Sequence, residues 1–170
     1  MRITRTHVAV GAIVASLLLL AYALLGNSDE DKILHRLKEL ASAVESKEGE
    51  SFIFRTARLN AVFKDALEPN ATLSAPELPT TSGAREIAAL GGQSANFATD
   101  FRVSVGETDV RIDGKAARAV AVVTFTGSER GELRREKRHV RFLLNKSGSD
   151  WRVASIDVDA RSEDQPEARP

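Results

Sequence analysis

The stretch GELRREKRHVRF, residues 131 to 142, puts six basic side chains, His139 included, into the eight positions 134 to 141. Taken as a cluster it is a grip for nucleic acid. Taken as a β-strand it is the wet face of a sheet. A period of two separates the faces. Arg135, Lys137, His139 and Arg141 point one way. Arg134, Glu136, Arg138, Val140, Phe142 and Leu144 point the other. The second set turns apolar towards its end, so it faces the core, and the first set is a stripe on the outer face. The basic run is therefore divided between two surfaces, and the strand reading is preferred.

The flanks carry the same period. From Phe97 onward, Phe97, Thr99, Phe101, Val103 and Val105 alternate with Asp100, Arg102 and Ser104. Asp113-Gly114, inside VRIDGKAARAVAVVTFTG, is a tight-hairpin signal between Ile112 and the next strand. GSERG turns into the opening stretch, and NKSGSD turns out of it into WRVASIDVD. Regular closure of the second turn pairs Leu144 near Trp151 and Phe142 near Val153, which sets Arg138 opposite Asp157 on the inner face. Regular closure of the first brings Arg118 near Val140 on that face. A bulge in either would reverse these placements. Arg118, Glu136, Arg138 and Asp157 are thus candidates for a pocket mouth, where a buried carboxylate could serve as a general base. The plainer alternative is an ion-pair network closing the open end of the sheet, and it is the preferred one. Asp157 and Asp159 share a strand face, but one such pair without further oxygen ligands does not make a cation site.

Helical spacing precedes the strands. Ser28-x-x-Asp31 approximates a capping box ahead of Ile33, Leu34, Leu37, Leu40, Ala41 and Val44. A second helix starts after Ser51 and is stopped by Pro69. Residues 69–82 read as loop with one short edge strand around Thr72, since Pro76 and Pro79 exclude a central strand. GAREIAALGG is a short third helix ended by Gly91-Gly92. The fold class predicted is α+β: three N-terminal helices on a curved, cone-like antiparallel sheet.

Lys plus Arg equals Asp plus Glu, 24 each. A nucleic-acid binder draws its affinity from a basic surplus that this chain lacks. Cysteine is absent, which excludes disulfides, thiolate metal sites and a Cys nucleophile. His7, His35 and His139 are the only histidines, and none is placed for Ser-His-Asp chemistry. We therefore expect no catalytic residue, cofactor or metal site.

Residues 8–25, VAVGAIVASLLLLAYALL, carry no charge, with Arg2 and Arg5 before them and Asp29, Glu30 and Asp31 after. That length and flanking charge predict a single transmembrane anchor with the N-terminus inside. Ala21-Tyr22-Ala23 also fits a signal-peptide cleavage pattern. The organisation expected is a cytoplasmic segment 1–7, the anchor 8–25 (or signal-peptide core), one domain over 28–160 and a disordered tail 161–170. The domain then lies in the periplasm or outside the cell, at the inner membrane.

The order of helices, the segments LNAVFKDALEPNATL and TSGAREIAAL, and the late WRVASIDVD resemble the nuclear transport factor 2-like superfamily. That group includes the SnoaL-like and ketosteroid isomerase-like proteins. Gly83-x-x-x-Ile87 and Trp151-Arg152-Val153 carry most of the resemblance. It implies a sheet curled around a cone-shaped pocket, catalytic in some members and used for binding or assembly in others. The isomerases use a pocket Tyr, whereas the only Tyr here is Tyr22. The layout also resembles the inner-membrane scaffold component of type IV secretion systems. A non-catalytic binding or scaffold domain of an envelope assembly is therefore expected. Its partners would be the membrane through residues 8–25 and envelope proteins or a second copy, and no nucleic acid. Arg135, Lys137, His139 and Arg141 read first as a solubilising sheet face and second as a docking stripe for an acidic protein or anionic lipid headgroups. The alternative is a secreted small-molecule-binding protein or SnoaL-like enzyme.

Overall fold

The computed structural model describes residues 28–47, 49–93, 99–129 and 132–162. The expected anchor, residues 8–25, lies outside them, as does nearly all of the 161–170 tail. Among the described residues no helix is long and apolar enough to cross a membrane.

Among the described residues three helices pack on a curved six-stranded sheet. Helix α1 (Asp29–Val44) begins where the Ser28 hydroxyl accepts from the Asp31 amide at 3.1 Å. Helix α2 (Phe52–Ala66) is capped in the same way by Ser51. The chain then forms an edge hairpin, β1 (Leu67–Ala75) and β2 (Leu78–Ser82), before helix α3 (Ala84–Gln93). Four long strands follow: β3 (Thr99–Asp113), β4 (Ala116–Glu129), β5 (Glu132–Ser147) and β6 (Asp150–Ser162). The order across the sheet is β2-β1-β6-β5-β4-β3.

The architecture is α+β as predicted, with two corrections. The sheet is mixed, because β1 runs parallel to β6. Residues 69–82 are not mainly loop: they supply most of β1 and all of β2. The prolines are accommodated as the chemistry requires. Pro69 falls where the β1–β6 register shifts, and Pro79 sits on the edge strand β2.

The apolar stripe of α1, with Ile33 and Leu37 at 1% exposure or less, lies on the concave face. There it meets Leu144, Trp151 and Val153 of the sheet, and Leu59 and Phe63 of α2 complete the core. A fully buried Leu or Ile stabilises by about 1.5–3 kcal/mol. The last turn of α1 has no basic residue of its own. Arg55 and Arg58 of α2 supply the missing donors. Arg55 Nη2 donates to the Val44 carbonyl at 2.6 Å, and Arg58 donates to the carbonyls of Ala43 and Glu45. Both guanidiniums thus serve the orphan carbonyls and the negative end of the helix dipole.

Candidate functional site

The inner faces of the strands follow from side-chain parity. On β4, Ala117, Ala119, Ala121 and Val123 are buried, and Phe125 continues the row. On β5, Val140, Phe142 and Leu144 are buried, as the alternation of residues 134–144 requires. On β6, Trp151 and Val153 face inward, but the next inward residues are Ile156 and Val158. A bulge opposite Leu143/Leu144 makes the change of parity.

These faces and the helices line a half-open cavity of about 260 Å³. Leu40 and Val44 of α1 and Ile87 and Leu90 of α3 form its roof. Val123, Phe125, Val140 and Ile156 are among its floor, and Leu73 and Leu78 of the edge hairpin form one side. Phe101 and Phe125 stack at the far wall, with centroids 6.2 Å apart. Every lining residue is apolar or glycine. Such a lining holds a hydrocarbon body by burial alone and supplies no group that exchanges a proton.

Of the four candidates for the pocket mouth, the fold brings together two and separates the others. Glu136 lies opposite Phe125, and Arg138 lies opposite Val123, both on the concave face beside the cavity. Arg138 Nε and Nη2 each stand 2.6 Å from Glu136 Oε1. Its Nη1 stands 2.8 Å from Oε1 of Glu77, which the sequence reading did not single out. Burial by itself would lower the Arg138 pKa, but the hydrogen bonds to Glu136 and Glu77 outweigh it and raise the value. Arg138 is thus held as a cation between two carboxylates. No signal short of the three-dimensional fold marks Glu77, since its partner lies 61 residues away.

Arg118 and Asp157 are on the outer face, contrary to the regular-hairpin expectation. The β4–β5 register sets Arg118 opposite Leu143, not near Val140. The β5–β6 register sets Asp157 opposite Arg141, not Arg138. Leu144 pairs with Val153 and Phe142 with Ile156, displacing both predicted partners. The physical reason on β6 is the bulge, which turns Ile156 and Val158 inward and leaves the carboxylates of Asp157 and Asp159 outside. On β4 it is the closing register, Glu129 opposite Glu132, which differs from the assumed one by an odd number of residues.

The outer stripe is present as one row. Arg135, Lys137, His139 and Arg141 lie opposite Thr126, Thr124, Val122 and Val120 of β4. Arg141 Nη2 pairs with Asp159 at 3.0 Å. Arg118 faces Arg111 across the strands, and Arg111 is paired with Asp109 at 3.2 Å. The face thus joins half-buried Val120 and Val122 to a cationic border. Among the described residues no group of His, Asp and Glu could hold a metal ion.

No family model matches the sequence, and no curated protein matches it. Solved structures do resemble it. One is a nuclear transport factor 2-like protein with a cystatin-like fold from Novosphingobium aromaticivorans, at TM-score 0.63 and 14% identity, covering 83% of this chain and 86% of that one. Another is a nuclear transport factor 2-like superfamily protein from Salmonella enterica, at TM-score 0.63 and 13% identity, covering 81% and 94%. A third, also from Novosphingobium aromaticivorans, is described as a candidate aromatic ring hydroxylase, at TM-score 0.61 and 16% identity, covering 75% and 85%. At these identities the likeness is one of fold: the chain has the nuclear transport factor 2-like, cystatin-like fold.

Proposed function

We propose that residues 28–160 are a non-catalytic binding domain, held at the inner membrane by residues 8–25 and exported to the far side. The observation that carries the binding reading is the cavity of about 260 Å³ with a wholly apolar lining. A smaller apolar cavity of about 150 Å³ admits benzene. By that scale this one suits a two-ring hydrocarbon or the end of an acyl chain. The outer sheet face, with Val120 and Val122 beside Arg135, Lys137 and Arg141, is the surface for an acidic envelope protein or a second copy. Titration of the full chain with naphthalene, followed by calorimetry, tests the cavity. Saturable binding at one site is expected, and absence of binding removes the reading. Intact mass of the native protein from washed membranes tests the anchor: the full-length mass is expected there. A shortened chain beginning at Leu24 in the soluble envelope fraction would mean a cleaved signal.

A second reading, a small-molecule enzyme, is favoured by the neighbour described as a candidate aromatic ring hydroxylase. It would rely on the carboxylates of Glu77 and Glu136 at the cavity's edge. Turnover abolished by Glu136→Gln, with binding retained, is the result that would support it.

A further inference from the structure

Glu77 and Arg138 are tied across a strand that neither belongs to. Glu77 sits in the turn between β1 and β2, and Arg138 sits on β5. In the sheet β6 lies between β1 and β5, so the pair spans two strand spacings, about 10 Å. The span runs over the concave face, because Arg138 shares that face with Val123 and Val140. The turn is therefore drawn over the edge of the cavity. The next residue after Glu77 is Leu78, which lines the cavity and is 43% exposed.

Strand β1 is anchored to β6 and by buried Leu67 and Ala71, but the outer half of the hairpin is lightly held. Strand β2 is an edge strand of five residues, four of them exposed, and its pairing to β1 is interrupted by a register shift. The Arg138 side chain is 15% exposed and that of Glu77 is 58% exposed, so water reaches the tie chiefly at Glu77. Glu136 keeps Arg138 in place whether or not Glu77 is engaged.

We propose that the Glu77–Arg138 ion pair is a latch, and that a hydrocarbon ligand reaches the cavity beneath the β1–β2 hairpin when the latch opens. The proposal rests on the cavity reading above. It assigns Glu77 to ligand access and not to ligand contact or chemistry, while Leu78 lines the cavity beside it. A latch raises the barrier to both binding and release and leaves the affinity unchanged.

The test measures exchange of naphthalene with the full chain, by relaxation dispersion of the Leu73, Leu78 and Val140 methyl groups at several ligand concentrations. Glu77→Gln, at an exposed position, should speed association and dissociation together by about two- to fivefold, the scale of a largely solvated ion pair. Kd should stay the same. Asp109→Asn, which breaks an exposed pair outside the cavity lining, should change neither rate. The latch is overturned if Glu77→Gln leaves both rates unchanged. It is also overturned if release alone accelerates, which would make Glu77 a ligand contact. Equal acceleration by Asp109→Asn would overturn it as well. Absence of naphthalene binding to the unmodified chain would remove the cavity reading itself, and the latch with it.

Discussion

Towards the β5–β6 turn the concave face is filled: Ile33, Leu144, Trp151 and Val153 are each 1% exposed or less. Towards the start of β3 the same face is hollow, and Phe101, Val105 and Phe125 stand half-buried around the cavity. Both ends are apolar, so composition does not separate them. The packing partners do. At the filled end Ala117, Ala119 and Ala121 are buried with Leu144, Trp151 and Val153. At the hollow end the chain just after α1 is fastened to β3, the Ser46 amide donating to the Phe101 carbonyl at 2.7 Å, and the space over Val123 and Phe125 stays open. Polar ties finish each end. At the filled end Lys146 bonds Asp29 at 2.6 Å and lies 5.7 Å from the Trp151 ring centroid. That contact with Lys146 holds the Asp29 carboxyl below its ordinary value. At the hollow end Arg58 and Glu50 pair at 2.6 Å under the α1 terminus. The contrast teaches that two equally apolar ends of one sheet face can be filled or hollow according to how the helices seat on it.

The sharpest way to break the contrast is at the filled end. Trp151→Ala should cost about 3–5 kcal/mol in urea unfolding, because the neighbours cannot collapse into the space of an indole. A loss below about 1.5 kcal/mol would mean that this end is no better packed than the other.

Glu50→Gln should cost about 1.5–3 kcal/mol at pH 7, the worth of hydrogen bonds to a charged group. The Arg58 guanidinium holds the Glu50 carboxyl below its ordinary value of 4.5. A depressed native pKa gives stability that is present above the unfolded value and lost as pH falls through the native one. The gap between variant and parent should therefore close on the acid side, below about pH 4.5. A gap that does not narrow at all as pH falls below about 4.5 would contradict the assignment.

A paired substitution sharpens the comparison directly. Ala119→Leu at the filled end should cost about 1–3 kcal/mol through overpacking, whereas Val123→Leu at the cavity should cost less than about 1 kcal/mol. The second change should also weaken naphthalene binding by about tenfold, or about 1.4 kcal/mol, as the space is taken up. Equal costs at the two sites would erase the distinction between the ends. The smallest effect on stability belongs to the outer face. Arg135→Glu with Lys137→Glu, which leaves the Arg141–Asp159 pair intact, should move stability by no more than about 0.5 kcal/mol. If that face docks an acidic partner or a second copy, the same change should abolish association in sedimentation velocity or co-purification.

Much of the framework was legible in the chain. Ser28 and Ser51 cap their helices as their spacing indicated. The residues 134–144 alternate as predicted, and Asp113 ends β3 at a two-residue turn where Gly114 adopts φ +58. Arg118 was misplaced although a local signal existed: Ala117, Ala119, Ala121, Val123 and Phe125 form an uncharged inner row, and Arg118 falls outside it. Asp157 was misplaced in the same way. The inward residues Trp151 and Val153 are followed by Ile156 and Val158, and the gap of three between Val153 and Ile156 is the mark of a bulge.

What the sequence determined by itself is local and periodic: where helices begin, which residues share a strand face, and that the basic run has an inner and an outer half. These follow from rise, period and capping chemistry, which act over a few residues. Tertiary structure alone decided the parallel β1–β6 pairing, the reach of Glu77 to Arg138, and the hollow at one end of the cone. Each depends on a register between segments far apart in the chain, and one bulged residue reverses every face beyond it.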